Sequence, residues 1–134
     1  MLNSKKVWVN GTFDVLHSGH IKLFEYGKFL AGPSGQLIVG TDTDERIREL
    51  KGSTRPINNL DDRIYFLRAI RYVDKVCVFS RDSELEALIH HYSPDILLIG
   101  SDYRGKNIIG SQFAQEIKYF DRYGDLSTSK IIGR

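Results

Sequence analysis

With 134 residues, 41% hydrophobic and 27% charged, the chain has the size and composition of one folded domain and none of the signature of disorder. A net charge of +2 is too small for a general nucleic-acid binder, and no run of about 18 apolar residues offers a membrane-spanning helix. The single cysteine, Cys77, lies in the apolar run Val76, Cys77, Val78, Phe79 and reads as a buried strand thiol; with no signal-peptide pattern at the start, the expected setting is a reducing cytoplasm.

Strand and helix signals alternate along the chain. Residues 6–10 (KVWVN) are a short β-branched run that Gly11 closes. Residues 18–31 switch to helical spacing, with Ile21 and Phe24, and Leu23, Tyr26 and Leu30, on an apolar side, before the breaker cluster 32–35. Residues 36–40 (QLIVG) predict a second strand, and the oxygens of Thr41, Asp42 and Thr43 offer caps for a helix to about residue 50. Residues 51–59 (KGSTRPINN) predict a loop. Asn59, followed by Asp61 and Asp62, starts a helix with Leu60, Ile64, Leu67 and Ile70 inward, because carboxylates suit the positive helix end. A third strand is expected over 74–79. Leu85, Leu88, Ile89 and Tyr92 fall at i, i+3, i+4 and i+7, a helix that Pro94 stops. Residues 95–99 (DILLI) predict a fourth strand, 110–116 a short helix, 117–120 a fifth strand and 127–132 a final helix.

Repeated β-then-α order with near-continuous apolar strands predicts a Rossmann-like α/β fold. One five-stranded parallel sheet carries helices on both faces in a single domain over 1–134. Ligands in such folds gather beyond the carboxyl ends of the strands, where strand order reverses. The loops at 11–19, 41–45, 80–83 and 100–106 therefore bound the expected site.

The first of these loops reads GTFDVLHSGH. Gly19 falls in the first helical turn, where free N–H groups and the helix dipole attract anions and the missing Cβ lets a phosphate approach. His17 and His20, three apart across the helix start, can project over the same phosphate as imidazole donors. Two histidines at this spacing also suit a metal, but no Cys, Asp or Glu follows at ligand spacing. Near the C-terminus, Ser127, Thr128 and Ser129 place hydroxyls at a helix start, a second phosphate cradle, with the donor fork of Arg122 five residues before Ser127.

GTFDxxHxGH after a first strand resembles the signature of the HxGH nucleotidyltransferase superfamily. That superfamily includes cytidylyltransferases, pantetheine-phosphate adenylyltransferase and the adenylyltransferase half of ADP-heptose synthases. The resemblance implies that His17 and His20 contact a triphosphate and stabilise the transition state, and that Thr12, Phe13, Asp14 and Gly19 belong to the nucleotide site. Residues 122–132 resemble the RTEGISTTxII segment of glycerol-3-phosphate cytidylyltransferases, which adds Arg122, Ser127, Thr128 and Ser129. Residues 71–76 (RYVDKV) resemble RYVDEV of the same enzymes. Residues 50–56 (LKGSTRP) and 100–103 (GSDY) resemble KGxxRP and GGDY of the ADP-heptose synthases, with Ser101 replacing a glycine. They add Lys51 and Arg55 as basic residues near the phosphates, with Gly100 and Asp102 at the base or sugar.

The expected reaction moves a nucleoside monophosphate from a triphosphate to a phosphorylated polyol or sugar and releases pyrophosphate. An acceptor phosphate with a second pKa near ~6 is already ionised at neutral pH and needs no general base. Positioning and charge neutralisation then do the catalysis, with Mg²⁺ held mainly by the triphosphate rather than by a protein metal site. The balance of segments favours CTP, with ATP and a heptose 1-phosphate as the alternative and a non-catalytic nucleotide-binding module as a third reading. The resemblance also implies a possible homodimer, with no nucleic-acid or membrane partner.

Overall fold

In strand β1 (Lys6–Gly11), Val7, Trp8 and Val9 are consecutive and all buried, so side chains leave both faces of the strand into apolar surroundings. The computed structural model, which describes residues 4–121, explains why. β1 lies at the centre of a five-stranded parallel sheet of order β3-β2-β1-β4-β5, formed with β2 (Gln36–Asp42), β3 (Lys75–Phe79), β4 (Ile96–Gly100) and β5 (Glu116–Phe120). Val9 pairs with Val39 and Trp8 with both Ile38 and Leu97.

The alternation of side chains divides the interior into two cores. Val7, Val9, Leu37, Val39, Ile96 and Leu98 meet Phe24 and Ala31 of α1 (Ser18–Ala31) and Leu67 of α3 (Leu60–Ala69) on one face. Trp8, Ile38, Phe79 and Leu97 meet Leu85 and Ile89 of α4 (Asp82–Tyr92) on the other. Right-handed crossovers require this division. The chain winds outward from β1 to β3 under α1 and α3, then returns across the sheet to β4, and the reversal puts α4 on the opposite face. Each fully buried aliphatic or aromatic side chain contributes about 1.5–3 kcal/mol.

The predicted βα order holds, with local differences. β2 runs on through Asp42, so Thr43 alone caps α2 (Asp44–Lys51), accepting from Arg46 N at 3.3 Å. The helix expected over 110–116 is a single 3₁₀ turn, Ser111–Phe113. Gly110 enters it at φ 81°, and β5 begins only three residues after its end. In α3 the fully buried residues are Arg63 and Leu67, whereas Leu60, Ile64 and Ile70 are half-buried. Cys77 is half-buried, its Sγ 3.7 Å from the Tyr92 hydroxyl. Among the described residues no helix is long and apolar enough to cross a membrane. The helix expected over 127–132 lies outside the described residues.

Candidate active site

The strand order reverses between β1 and β4, and a cleft of about 710 Å³ opens at the carboxyl ends of the strands there. Thr12, Phe13 and His17 line it from the first loop, and Gly19 and His20 from the first turn of α1. Lys51 lines it as the last residue of α2, one residue beyond the predicted helix end, where a loop was expected. Arg55 comes from the loop that follows, and Gly100 and Asp102 from the end of β4 and just beyond it. A second groove of similar volume, between Lys28, Phe29 and Lys118, contains Tyr72 of the RYVDKV segment but none of the residues of the histidine motif.

The two histidines do more than share a face. His17 is the N-cap of α1, and its Nδ1 accepts from Gly19 N at 3.1 Å; three residues on, His20 Nδ1 accepts from His17 N at 3.2 Å. This is the reciprocal arrangement of a capping box, built from imidazoles where Ser or Thr and Glu are usual. Because both Nδ1 atoms accept, each neutral ring carries its proton on Nε2. The rings stack with centroids 3.9 Å apart and planes inclined by 28°. His17 Nε2 is buried, a low-dielectric position in which a donor acts strongly on nearby charge.

Gly19 has a reason beyond the one its place in the sequence suggests. A Cβ there would lie 2.8 Å from Cε1 of His17, and its N–H already donates to that ring. The glycine makes room for the histidine cap. Gly19→Ala is accordingly expected to push the His17 ring out of its stack, lowering turnover at least tenfold with little change in melting temperature, which paired kinetic and thermal measurements would detect. Gly100 works the same way, since a Cβ would lie 2.6 Å from Oδ1 of Asp102, which folds back over the strand end.

Phe13 adopts φ 49°, uncommon for a residue with a side chain, and is buried with its ring edge-on to His20 at 5.5 Å and to Phe24 at 5.1 Å. It forms the apolar wall against which His20 is set. Asp14 leaves the cleft. Its two carboxylate oxygens accept from Ile57 N and Asn58 N, each at 2.7 Å, while the Asn58 amide returns a 2.7 Å bond to Asp14 O. The Asp14 side chain fastens the first loop to the loop before α3. Asp74, in the RYVDKV segment, lies at the amino end of the sheet, where it accepts from Leu37 N and Lys28 Nζ. Arg122, Ser127, Thr128 and Ser129 lie outside the described residues.

Three residues that motif reading passes over organise this end of the sheet. Arg63 is completely buried and donates to Asn58 O, Thr12 O, Thr41 Oγ1, Asp42 O and Asp44 Oδ1 at 2.7–3.2 Å, joining three loops at one guanidinium. Its signal was present in the sequence as a charge three residues after Leu60 and four before Leu67, on the inward stripe of α3. Asp42 and Arg46 line the cleft as an ion pair, with Arg46 Nε 3.0 Å from Asp42 Oδ2. Burial pushes the Asp42 carboxyl above its ordinary value, against the opposing pull of Arg46.

Residues 8–134 match the family described as cytidylyltransferase-like. The chain belongs to that family. Within this cytidylyltransferase-like family its relatives include the bifunctional protein HldE of Campylobacter fetus subsp. fetus, 41% identical over 128 residues, which cover 96% of this chain and 27% of the relative. HldE of Sulfurimonas denitrificans is 44% identical over 128 residues, 96% of this chain and 26% of that protein. The chain thus spans about a quarter of the length of these relatives. The fold is also that of a lipopolysaccharide core biosynthesis protein from Thermoplasma volcanium GSS1, with a TM-score of 0.70 and 23% identity over 89% of this chain and 98% of the other.

Proposed function

We propose that this cytidylyltransferase-like domain transfers an adenylyl group from ATP to a sugar 1-phosphate of the heptose class, releasing pyrophosphate. The observation that carries the transfer reading is the pair of imidazoles stacked at 3.9 Å and locked in one tautomer at the start of α1. An acceptor phosphate oxygen attacks the α-phosphorus. The new O–P bond forms as the bond to the bridging oxygen breaks, and pyrophosphate leaves with both electrons of that bond. His17 and His20 donate from Nε2 to the oxygens on which charge accumulates. Lys51 and Arg122 neutralise the phosphates, while Thr12, Phe13, Gly19, Gly100, Asp102, Ser127, Thr128 and Ser129 surround the nucleotide.

Among the described residues no group of three His, Cys, Asp or Glu side chains could hold a metal, and the ion in this proposal arrives on the triphosphate. A Mg²⁺ carried in this way would offset phosphate charge, its remaining positions filled by water.

Choice of nucleotide rests on the relatives. The RYVDKV and C-terminal segments favour CTP, but identity of 41–44% over 96% of this chain to bifunctional HldE proteins, together with the KGxxRP-like and GGDY-like segments that resemble ADP-heptose synthases, moves the preference to ATP. Pyrophosphate release is the direct test. With heptose 1-phosphate, kcat/KM is expected to be at least about tenfold higher for ATP than for CTP, a discrimination worth about 1.4 kcal/mol. Faster turnover of CTP with glycerol 3-phosphate would restore the cytidylyl reading. Nucleotide binding with no product from either pair would favour the non-catalytic module.

A further inference from the structure

In-line displacement needs the entering and leaving oxygens on opposite sides of the α-phosphorus. The acceptor must therefore enter opposite the departing pyrophosphate, and it cannot share the flank that the nucleoside fills. The β4 flank, with Gly100, Asp102, Ile108 and Ile109, is the nucleotide's in the reading above. The β2 flank presents Asp42, Arg46, Leu50, Lys51 and Phe79.

A carboxylate is out of place in a cleft that must receive phosphates. Asp42 is the last residue of β2, only 7% exposed, and burial raises the energy of its ionised form. Arg46 stands beside it but is already engaged. Nε donates to Asp42 Oδ2 at 3.0 Å, one terminal nitrogen to Asp82 Oδ1 at 2.8 Å, and the other to Ser80 O at 3.5 Å. Its guanidinium also lies 5.3 Å over the Phe79 ring. Arg46 is thus a brace for Asp42 rather than a phosphate clamp. Asp42 Oδ1 takes no hydrogen bond from any described residue, and the side chain lines the cleft.

We infer that Asp42, held by Arg46, is a specificity residue that accepts hydrogen bonds from the acceptor's hydroxyl groups, while the acceptor's phosphate is directed to Lys51 and the paired imidazoles. An ionised carboxylate accepts only, so it matches O–H donors and repels phosphate oxygens. It thereby fixes which end of a sugar phosphate faces the reacting phosphorus. The inference rests on the transfer reading for the assignment of flanks.

The test is calorimetric titration of wild type, Asp42→Asn and Asp42→Ala with heptose 1-phosphate, its singly deoxygenated forms, inorganic phosphate and ATP. Both variants are expected to bind heptose 1-phosphate about 10- to 100-fold more weakly, as for loss of a hydrogen bond to a charged group. Affinity for ATP and inorganic phosphate should stay within about twofold. One deoxy form should bind wild type and variants equally weakly, a coupling that a merely structural carboxylate would not give. Asp42→Glu keeps the charge should the neutral variants fail to fold, and it should reorder preference among the deoxy forms. Unchanged heptose 1-phosphate affinity, an unchanged order for Asp42→Glu, or parallel loss of ATP and sugar phosphate would each overturn the inference. Turnover with unaltered acceptor affinity removes this inference alone. Selective loss of sugar-phosphate binding in a protein that turns over no triphosphate removes the transfer reading alone.

Discussion

Replacing His20 with alanine is expected to lower kcat by roughly 10²-fold or more, the usual cost of removing a preorganised donor from a developing oxyanion. The fold should survive. The substitution also removes the acceptor for His17 N, but a lost helix cap costs only about 1 kcal/mol. The geometry separates the two roles. Glutamine is a natural partner at the third position of a capping box and can accept from His17 N through its side-chain oxygen. His20→Gln is therefore expected to regain the melting temperature of wild type without regaining its rate. Single-turnover pyrophosphate release, measured beside thermal unfolding, distinguishes these outcomes, and near-normal turnover in His20→Ala would reject the role assigned to the ring.

The largest effect on stability is expected at Arg63. Replacement by methionine fills much of the same space but withdraws five hydrogen bonds, stranding the carbonyls of Thr12, Asp42 and Asn58 and the carboxylate of Asp44. Breaking a buried pair from one side costs about 3–5 kcal/mol, a large share of the 5–15 kcal/mol typical of a whole domain. Lysine keeps the charge but concentrates it at one point, and should recover little, since the bonds radiate from a planar fork to three loops. Urea unfolding provides the measurement: a midpoint close to wild type in Arg63→Met would mean that the loops hold together without this centre. Activity should fall as well, because Thr12 O, anchored by Arg63 and by Thr41 Oγ1 at 2.9 Å, precedes the residues that set the imidazoles.

The alternation of strand and helix was legible because it is written locally: short continuous apolar runs in the strands, and a period between three and four residues in the helices. β1, α1 and α4 were read from such patterns nearly to their ends. The segment at 110–116 misled because Gly110 at positive φ turns the chain into a single 3₁₀ turn, and its apolar residues pack as a loop against α4. The histidine pair was legible through spacing, since i to i+3 across a helix start brings two rings together. What spacing does not reveal is long-range satisfaction of buried polar groups. Asp14 looked like a ligand because the carboxylate lies in the motif loop, yet its partners are 43 and 44 residues away. Arg63 looked like surface charge in the pattern DDRIYF, and only the convergence of three loops on one helix face reveals it as core. Asp42 was read as a possible cap, because nothing nearby in the chain announces that β2 continues through it.

The joinery below the cleft has an implication for how such a protein can change. Arg63 and Asp14 secure the loops from underneath, through main-chain atoms of Thr12, Asp14, Asp42, Ile57 and Asn58 and the side chains of Thr41, Asp44 and Asn58, and none of these bonds uses the side chain of Leu50 on the rim. Exchanging an exposed rim side chain such as Leu50 therefore leaves the chassis intact. On the proposed transfer reading, a change confined to such exposed rim positions would alter which sugar or base is accepted without rebuilding the apparatus that aims the two rings.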